Sequence, residues 1–425
     1  MRTLLGVLLL MLGADAGSLL GPGRATAYTE ARRSFARAFG SGAFDEARQA
    51  LVRQRAAAPG RVDLGYDLAC VEARAGRIDA AFGALGALVN AGLAIDPSAD
   101  ADLNGLHGDP RWAALLARFS RGRASPSAGR AGPPVPAELA PVEDLAVDRR
   151  GGTAFVSSVR TGEVWRRVDG SWRRWAHPAP AGQGALALGL DAGRRVLHVG
   201  VGAIAQAAGF RKADEGQSAL VTLGLEDGRE LARHVPPEPG PHLLSDLTVG
   251  PDGTVLVSDA LAGTVYRLAP GQGALQPLFP PHTFLSPQTP ALGDDGRSLY
   301  LPDHALGLFV VPLAGGTPEP VSGPEDLVTG GIDGLAPAPG GLVAVQNGIV
   351  ENRIVRLWLS PDGRRITRWE VLSRGPGLGE PTHVVRTAEG VVALVDSGWN
   401  RFGDDGAPRP GAPRADPRLV ALDLR

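Results

Sequence analysis

From about residue 138 onward the chain repeats itself, and this repeat narrows the fold more than any other feature. Each unit is a short apolar run, a glycine-containing turn and a second apolar run. Aligned on the turn glycine, six units appear, at Gly151, Gly193, Gly253, Gly296, Gly341 and Gly390, with intervals of 42, 60, 43, 45 and 49 residues. Alternation with period two is the mark of strands. Units of about 40–50 residues that carry about four strands each are the signature of a β-propeller. Six units predict six blades; a β-sandwich is the alternative, but it would not generate six units at this spacing. The longest interval holds "AIAQAAGFRKADEGQ", which reads as a loop over one face. The last unit shows strands near 382–386, 391–396 and 417–423 and no clear fourth. Residues 137–142, just before Glu143, are expected to supply that outer strand, closing the ring and leaving no edge unpaired.

Ahead of the repeats, residues 28–120 carry small and apolar residues at helical spacing. Gly42, Asp45, Ala47 and Leu51 recur 34 residues later as Gly76, Asp79, Ala81 and Leu85. That period resembles the tetratricopeptide helix-turn-helix repeat, over about two repeats and a closing helix, "DPRWAALLARF". So few repeats are expected to lean on the rest of the chain, either as a helical cap or as a docking site for a protein partner. Residues 121–137, "RGRASPSAGRAGPPVPA", read as a linker. The fold class is therefore mainly β: a six-bladed propeller at 138–425 behind a small α-helical repeat domain.

Residues 1–27 have the form of a secretory signal peptide: Arg2, an apolar run from Leu4 to Leu12, and small-residue sites at Ala14-Asp15-Ala16 and Ala25-Thr26-Ala27. Export to the periplasm or the outside is expected. The single cysteine, Cys70, lies in an apolar helical pattern, so it is read as core, and no internal disulfide is expected. The net charge of −2 offers no basic face for nucleic acid.

In a propeller, the inner strand of each blade lines the central channel. Equivalent positions on six such strands therefore form one ring. Eight residues before each turn glycine stand Glu143, Ala185, Ser245, Gln288, Asp333 and Thr382. Carboxylate and amide oxygens in this ring suit a hard cation such as Ca²⁺. The other reading is a polar ring that solvates a water-filled channel and satisfies strand-end amides. The ends of the second strands carry Asp259, Asp303, Asn347 and Asp396, residue types that favour tight turns. His242, His304 and His383 are the histidines nearest the mouth in this register and read first as hydrogen-bonded or surface groups.

The fragments "SDLTVGPDGTVLVSDALAGTVYRL", "SPQTPALGDDGRSLYLPD", "GIDGLAPAPGGLVAVQNG" and "EPTHVVRTAEGVVALVDS" resemble the regucalcin/gluconolactonase family, and more loosely NHL-repeat and paraoxonase-type propellers, over 138–425. The resemblance implies one divalent cation in the channel mouth, held by Glu143, Gln288 and Asp333. It also implies that Asp333 is the base for opening a lactone, with the carbonyl or water polarised by the metal. Ser245 and Asp246 fall where that family places a substrate-contacting Asn followed by Asp. Thr382 falls in its sixth-blade Pro-Thr. Gln288 stands for the family's Asn, one methylene longer, and Ser245 for Asn, with a shorter reach. Glu380 is a further carboxylate two residues before Thr382. Two functions follow: a divalent-metal-dependent hydrolase of a lactone or ester, or a non-catalytic platform that binds a partner through the helical repeats and a propeller face.

Overall fold

The structure, a computed structural model, describes residues 23–123, 129–148 and 152–424. Six four-stranded antiparallel sheets form the propeller. Blade one is Val142–Val147, Ala154–Ser158, Val164–Val168 and Ser171–Ala176. Blade two is Gly184–Asp191, Val196–Gly202, Ser218–Gly224 and Glu230–His234. Blade three is Leu244–Val249, Val255–Asp259, Thr264–Leu268 and Gln276–Pro277. Blade four is Ala291–Leu292, Ser298–Asp303, Gly307–Pro312 and Glu319–Pro320. Blade five is Ile332–Ala338, Gly341–Gln346, Arg353–Leu359 and Ile366–Arg374. Blade six runs outward as Val384–Arg386, Gly390–Val395 and Arg418–Asp423, and its fourth strand is Arg130–Pro134.

The second strand of each blade is largely buried on both faces, which is why it reads as a mostly apolar run. In Gly341–Gln346, Leu342 and Ala344 enter the core shared with blade four, whereas Val343 and Val345 enter the core shared with blade six. The side-chain period of two thus serves two interfaces at once. Burying a side chain of this size contributes about 1.5–3 kcal/mol. The inner strand of blade six packs against that of blade one.

An N-terminal segment does close the ring, but not the expected one. Arg130 and Ala131 pair with Ala421 and Val420, and Pro134 with Arg418. Residues 137–139 form a 3₁₀ turn and Val142 already belongs to the inner strand of blade one. The linker expected over 121–137 therefore contains the closing strand, and the propeller begins at Arg130. Prolines are tolerated there because the strand is an edge.

Among the described residues, five α-helices precede the propeller: α1 (Arg24–Gly40), α2 (Phe44–Ala57), α3 (Gly65–Arg74), α4 (Ile78–Asn90) and α5 (Arg111–Arg123). The 34-residue recurrence is visible as two helical hairpins whose turns hold Gly42 and Gly76 at φ +77° and +73°. Ala47 and Ala81 are fully buried where the helices meet. Residues 1–22 lie outside the described residues, and most of the expected signal segment with them. Ala25, Thr26 and Ala27 form the first turn of α1, with Ala25 and Tyr28 buried. Cys70 is buried and unpaired, and burial pushes its thiol pKa up. No helix among the described residues is long and apolar enough to cross a membrane.

The helices dock onto blades four and five through shared cores. Tyr28 and Leu64 join Phe284 and Phe309, while Leu85, Leu88 and Phe119 join Val328 and Ile349. Three arginines tie the two parts together. Arg61 donates to Ala305 O and to Tyr28 Oη. Arg353 donates to Ala91 O, just past α4, and Arg374 to Gly92 O and to Gly122 O in the last turn of α5. Carbonyls at helix C-termini lack intrahelical partners and favour cations. Thr329 N bonds Gly60 O at 2.9 Å, and a Cβ on Gly60 would lie 1.7 Å from Thr329 Oγ1, so this approach requires glycine.

Candidate functional site in the channel mouth

Glu143, Ser245 and Asp333 each sit second in the inner strand of their blade. Gln288 and Thr382 sit just ahead of the inner strands of blades four and six. These ends share a face with the turns between second and third strands, because the strands are antiparallel. The helical domain docks on that face, at Ala305, Thr329 and Val350. The loop 203–217 of blade two and the 396–417 connection of blade six rise on the same face and meet through Gln206 Nε2 and Gly403 O at 2.9 Å.

The inner strands of blades one, two, three and five are not regular ladders. Their pairing with the second strand is interrupted between Val142 and Leu145, Ala185 and Leu188, Leu244 and Asp246, and Ile332 and Leu335. A bulge re-aims side chains. A second set of side chains joins the expected ring. One residue along from the ring stand Asp144, Leu186, Asp246, Thr289, Gly334 and His383. Of these, Asp144, Asp246, Thr289 and His383 form one connected network. His383 Nε2 lies 2.9 Å from Asp144 Oδ1, and His383 Nδ1 lies 3.4 Å from Thr289 Oγ1. Thr289 Oγ1 lies 2.7 Å from Asp246 Oδ1. Gly334 makes room for this packing: a Cβ there would lie 2.7 Å from Thr382 O and 2.9 Å from His383 Cα.

The mouth concentrates negative charge. Glu143 is pushed well above the ordinary carboxylate range by burial and then by the charges of Asp333 and Asp246. Asp333 is pushed well above it by burial and by Asp246. Asp246 is raised to about 6, chiefly by burial. Few donors offset this. Trp399 Nε1 donates to Glu143 Oε2. Asn347 Nδ2 donates to Asp333 Oδ2 at 2.5 Å and to Pro381 O at 3.0 Å. Asp246 Oδ2 and Ser245 Oγ are buried without a well-formed hydrogen bond, although the Ser245 hydroxyl lies close enough to Asp246 to ease its charge. Glu380 also adds to the charge felt by Asp333.

The other expected residues divide clearly. Ala185 packs in the core between blades one and two. Thr382 spends its hydroxyl proton on Glu143 O at 2.8 Å, linking blade six to blade one. Gln288 Nε2 donates to Ser286 Oγ at 2.8 Å, which leaves Oε1 as the free acceptor end of the amide. Asp259 and Asp303 are turn residues: Asp259 accepts from Leu243, Leu261 and Ala262 amides, and Asp303 from Leu285, Ser286, Ala305 and Leu306 amides. His242 is held by Asp259 and Glu238 O, a structural pairing. Asn347 departs from that pattern and reaches the site. His304 Nε2 lies 3.3 Å from its Oδ1, and burial together with the Arg61 charge lowers the His304 pKa to about 4. Sequence reasoning missed Asp144, Thr289 and Trp399, and read His383 as incidental. Stepping back seven rather than eight residues from each turn glycine would have found Asp144, Thr289 and His383.

Glu143 and Asp333 present carboxylate oxygens and Gln288 an amide oxygen, ligand atoms of the kind a hard cation takes. Among the described residues, the one group of three His, Cys or carboxylate donors within 4.8 Å of one another is Cys70, Asp100 and Asp102 in the helical domain. The mouth instead offers two carboxylates, each with one side-chain hydrogen-bond donor, and the Gln288 amide oxygen.

No family model matches the chain, and no curated protein matches it. Solved structures do. The chain is similar to the PQQ-bound form of an aldose sugar dehydrogenase from Streptomyces coelicolor (18% identity, covering 70% of this chain and 99% of that one, TM-score 0.47). It is similar to a calcium-binding protein, regucalcin, from Agrobacterium tumefaciens (18% identity, 71% and 96% covered, TM-score 0.49). It is similar to virginiamycin B lyase from Staphylococcus aureus (14% identity, 70% and 99% covered, TM-score 0.45).

Proposed function

We propose that the channel mouth is a divalent-cation-dependent hydrolytic site for a small lactone or ester. The observation that carries this reading is the Glu143–Asp333 pair. The buried Asp333 and the half-buried Glu143 repel each other and Asp246, with one side-chain donor each, from Asn347 and Trp399. Such a cluster is relieved by a cation or by protons. Glu143, Asp333 and the Gln288 amide oxygen would hold the ion, and Ca²⁺ matches the donor set best. When bound, the ion supplies Lewis-acid polarisation of a carbonyl or a water. Asp333, held in place by Asn347, accepts the proton of the attacking water. Ser245 and Asp246 line the substrate side. The helical domain and the blade two and blade six loops stand on the same face as the site.

The test is metal analysis of the purified protein before and after chelation, followed by calorimetric titration with Ca²⁺, Mg²⁺ and Mn²⁺. Near-stoichiometric binding, abolished in Asp333→Asn and weakened in Glu143→Gln, is expected. Hydrolysis of a lactone and ester panel, followed by pH-stat, should then depend on the added ion. Absence of any bound or bindable divalent ion sinks the reading.

A further inference from the structure

We propose that His242 is a proton-operated clasp: with hydrogens on both ring nitrogens it pins the connector between blades two and three, and on losing one it releases that connector and the loop 203–217 braced against it. The device acts on a loop beside the mouth and does not depend on what the mouth binds.

The connector, residues 235–243, reads "VPPEPGPHL". Its prolines at 236, 237, 239 and 241 carry no backbone N–H, so it cannot be held as a strand would be. Its hold is polar and local. Tyr266 Oη donates to Glu238 Oε2 at 2.7 Å, and His242 Nε2 lies 2.8 Å from Glu238 O. His242 N donates to Gly216 O at 2.9 Å. Pro241 packs directly on Gly216, where a Cβ would lie 2.6 Å from Pro241 Cβ. Gly216 belongs to the loop 203–217, which meets the blade six connection on the mouth face through Gln206 and Gly403.

Both ring nitrogens of His242 face atoms that only accept. Nδ1 lies 2.7 Å from Asp259 Oδ2, and Nε2 lies 2.8 Å from a carbonyl oxygen. Each contact needs its own hydrogen, so the geometry calls for the imidazolium. Asp259 is the stronger partner. It is fully buried, and its Oδ1 accepts from the Leu243, Leu261 and Ala262 amides, bonds that favour the charged carboxylate. When the ring gives up one proton to solvent, the remaining hydrogen therefore stays on Nδ1. Nε2 is left bare, with its lone pair against those of Glu238 O, and the clasp opens on the connector side. The charged groups acting on His242 are Asp259 and Glu238. Tyr266 stands edge-on at 6.4 Å, and Arg211, Lys212, Asp214 and Glu215 of the loop pair among themselves. Burial opposes the charge on the ring, but the bonds to Asp259 and Glu238 O outweigh it and raise its pKa above 6.5. The clasp is therefore closed below about pH 6.5 and opens as the pH rises through the higher, folded value.

The test uses the full chain labelled with ¹⁵N-histidine, as wild type and His242→Gln. Ring ¹⁵N shifts and amide exchange are followed across the titration, with exchange expressed as protection factors to remove its intrinsic pH dependence. In the wild type both ring nitrogens should carry hydrogens below about pH 6.5, and Nε2 should be the one that loses its hydrogen above the midpoint. Protection of the His242 amide, which bonds Gly216 O, should fall about tenfold through the same midpoint, while the inner strands keep theirs. His242→Gln, uncharged at every pH, should show the lower protection throughout, so that it differs from the wild type at low pH and matches it at high pH. A histidine that only fills space would give a constant difference, and that result overturns the clasp. So does a ring with a single hydrogen below about pH 6.5, or loss of the hydrogen from Nδ1 instead of Nε2. Should His242→Gln fail to fold, the wild-type shifts and protection factors still decide, and equal protection on both sides of the midpoint overturns the clasp.

Discussion

Asp246 shows how one residue carries several constraints. One oxygen accepts from Thr289, the other is buried beside the Ser245 hydroxyl without a well-formed hydrogen bond, and burial lifts its pKa from 3.8 to about 6. A carboxyl whose folded pKa lies above its unfolded value binds its proton more tightly in the native state. Its stabilising contribution is therefore full below about pH 4 and is lost as pH rises through about 6. A shift of this size corresponds to about 3 kcal/mol at neutral pH. Asp246→Asn, which keeps the shape and the acceptor, is expected to melt like the wild type near pH 4 and several degrees higher above pH 7 in the presence of a chelator. Thermal melts of both proteins across that range check this, and a constant difference at every pH would count against it. The same logic separates the expected residues from the missed ones. Glu143 and Asp333 were legible because a carboxylate at a repeated register is conspicuous. His383 and Asp144 were not, because in a regular strand the next residue points away from the channel.

At the scale of elements, the turns were legible and the bulges were not. A glycine between two apolar runs announces a strand pair in any context, so six units could be counted. A bulge depends on which carbonyl of the neighbouring strand accepts which amide, and apolar patterning carries little of that information. The closing strand was missed for a related reason. Arg130–Pro134 reads as a linker because of Gly132, Pro133 and Pro134, and only an edge position makes those residues acceptable in a sheet. Gly132 also lets the segment approach closely: a Cβ there would lie 2.7 Å from Leu419 O. Gly132→Val should push Arg130–Pro134 off the edge of blade six and cost about 1–3 kcal/mol. Denaturant melts would show the loss, and amide exchange should accelerate along Arg418–Asp423 while the other blades keep their protection. Uniform acceleration across all six blades would contradict this local role for the closing strand.

For the whole molecule, the question is whether the helices form a separate module or part of the propeller. Interfaces between domains are usually modest and polar, and relative motion is then the ordinary outcome. This interface is different. Tyr28, Leu64, Leu85, Leu88 and Phe119 share buried cores with Phe284, Phe309, Val328 and Ile349. Arg61 and Arg353 are 3% and 1% exposed and hold backbone carbonyls across the boundary. Burial, together with the Arg374 charge, lowers the Arg353 pKa to about 9, so this guanidinium is tolerated only while its carbonyl partners stay in place. The same docking covers His304, whose contact with Asn347 leads to Asp333. The helices are therefore a fixed wall of the channel mouth. Calorimetry of the full chain should show one unfolding transition, with the calorimetric and van't Hoff enthalpies in agreement. Arg61→Ala removes the link to Ala305 O and leaves Asp63 without its ion pair, so the helices should loosen first. That variant should lose agreement between the two enthalpies and bind Ca²⁺ more weakly than the wild type, because the wall behind Asn347 is no longer held. Two separate transitions in the wild type, or unchanged Ca²⁺ affinity in Arg61→Ala, would mean that the helices ride on the propeller without shaping its site.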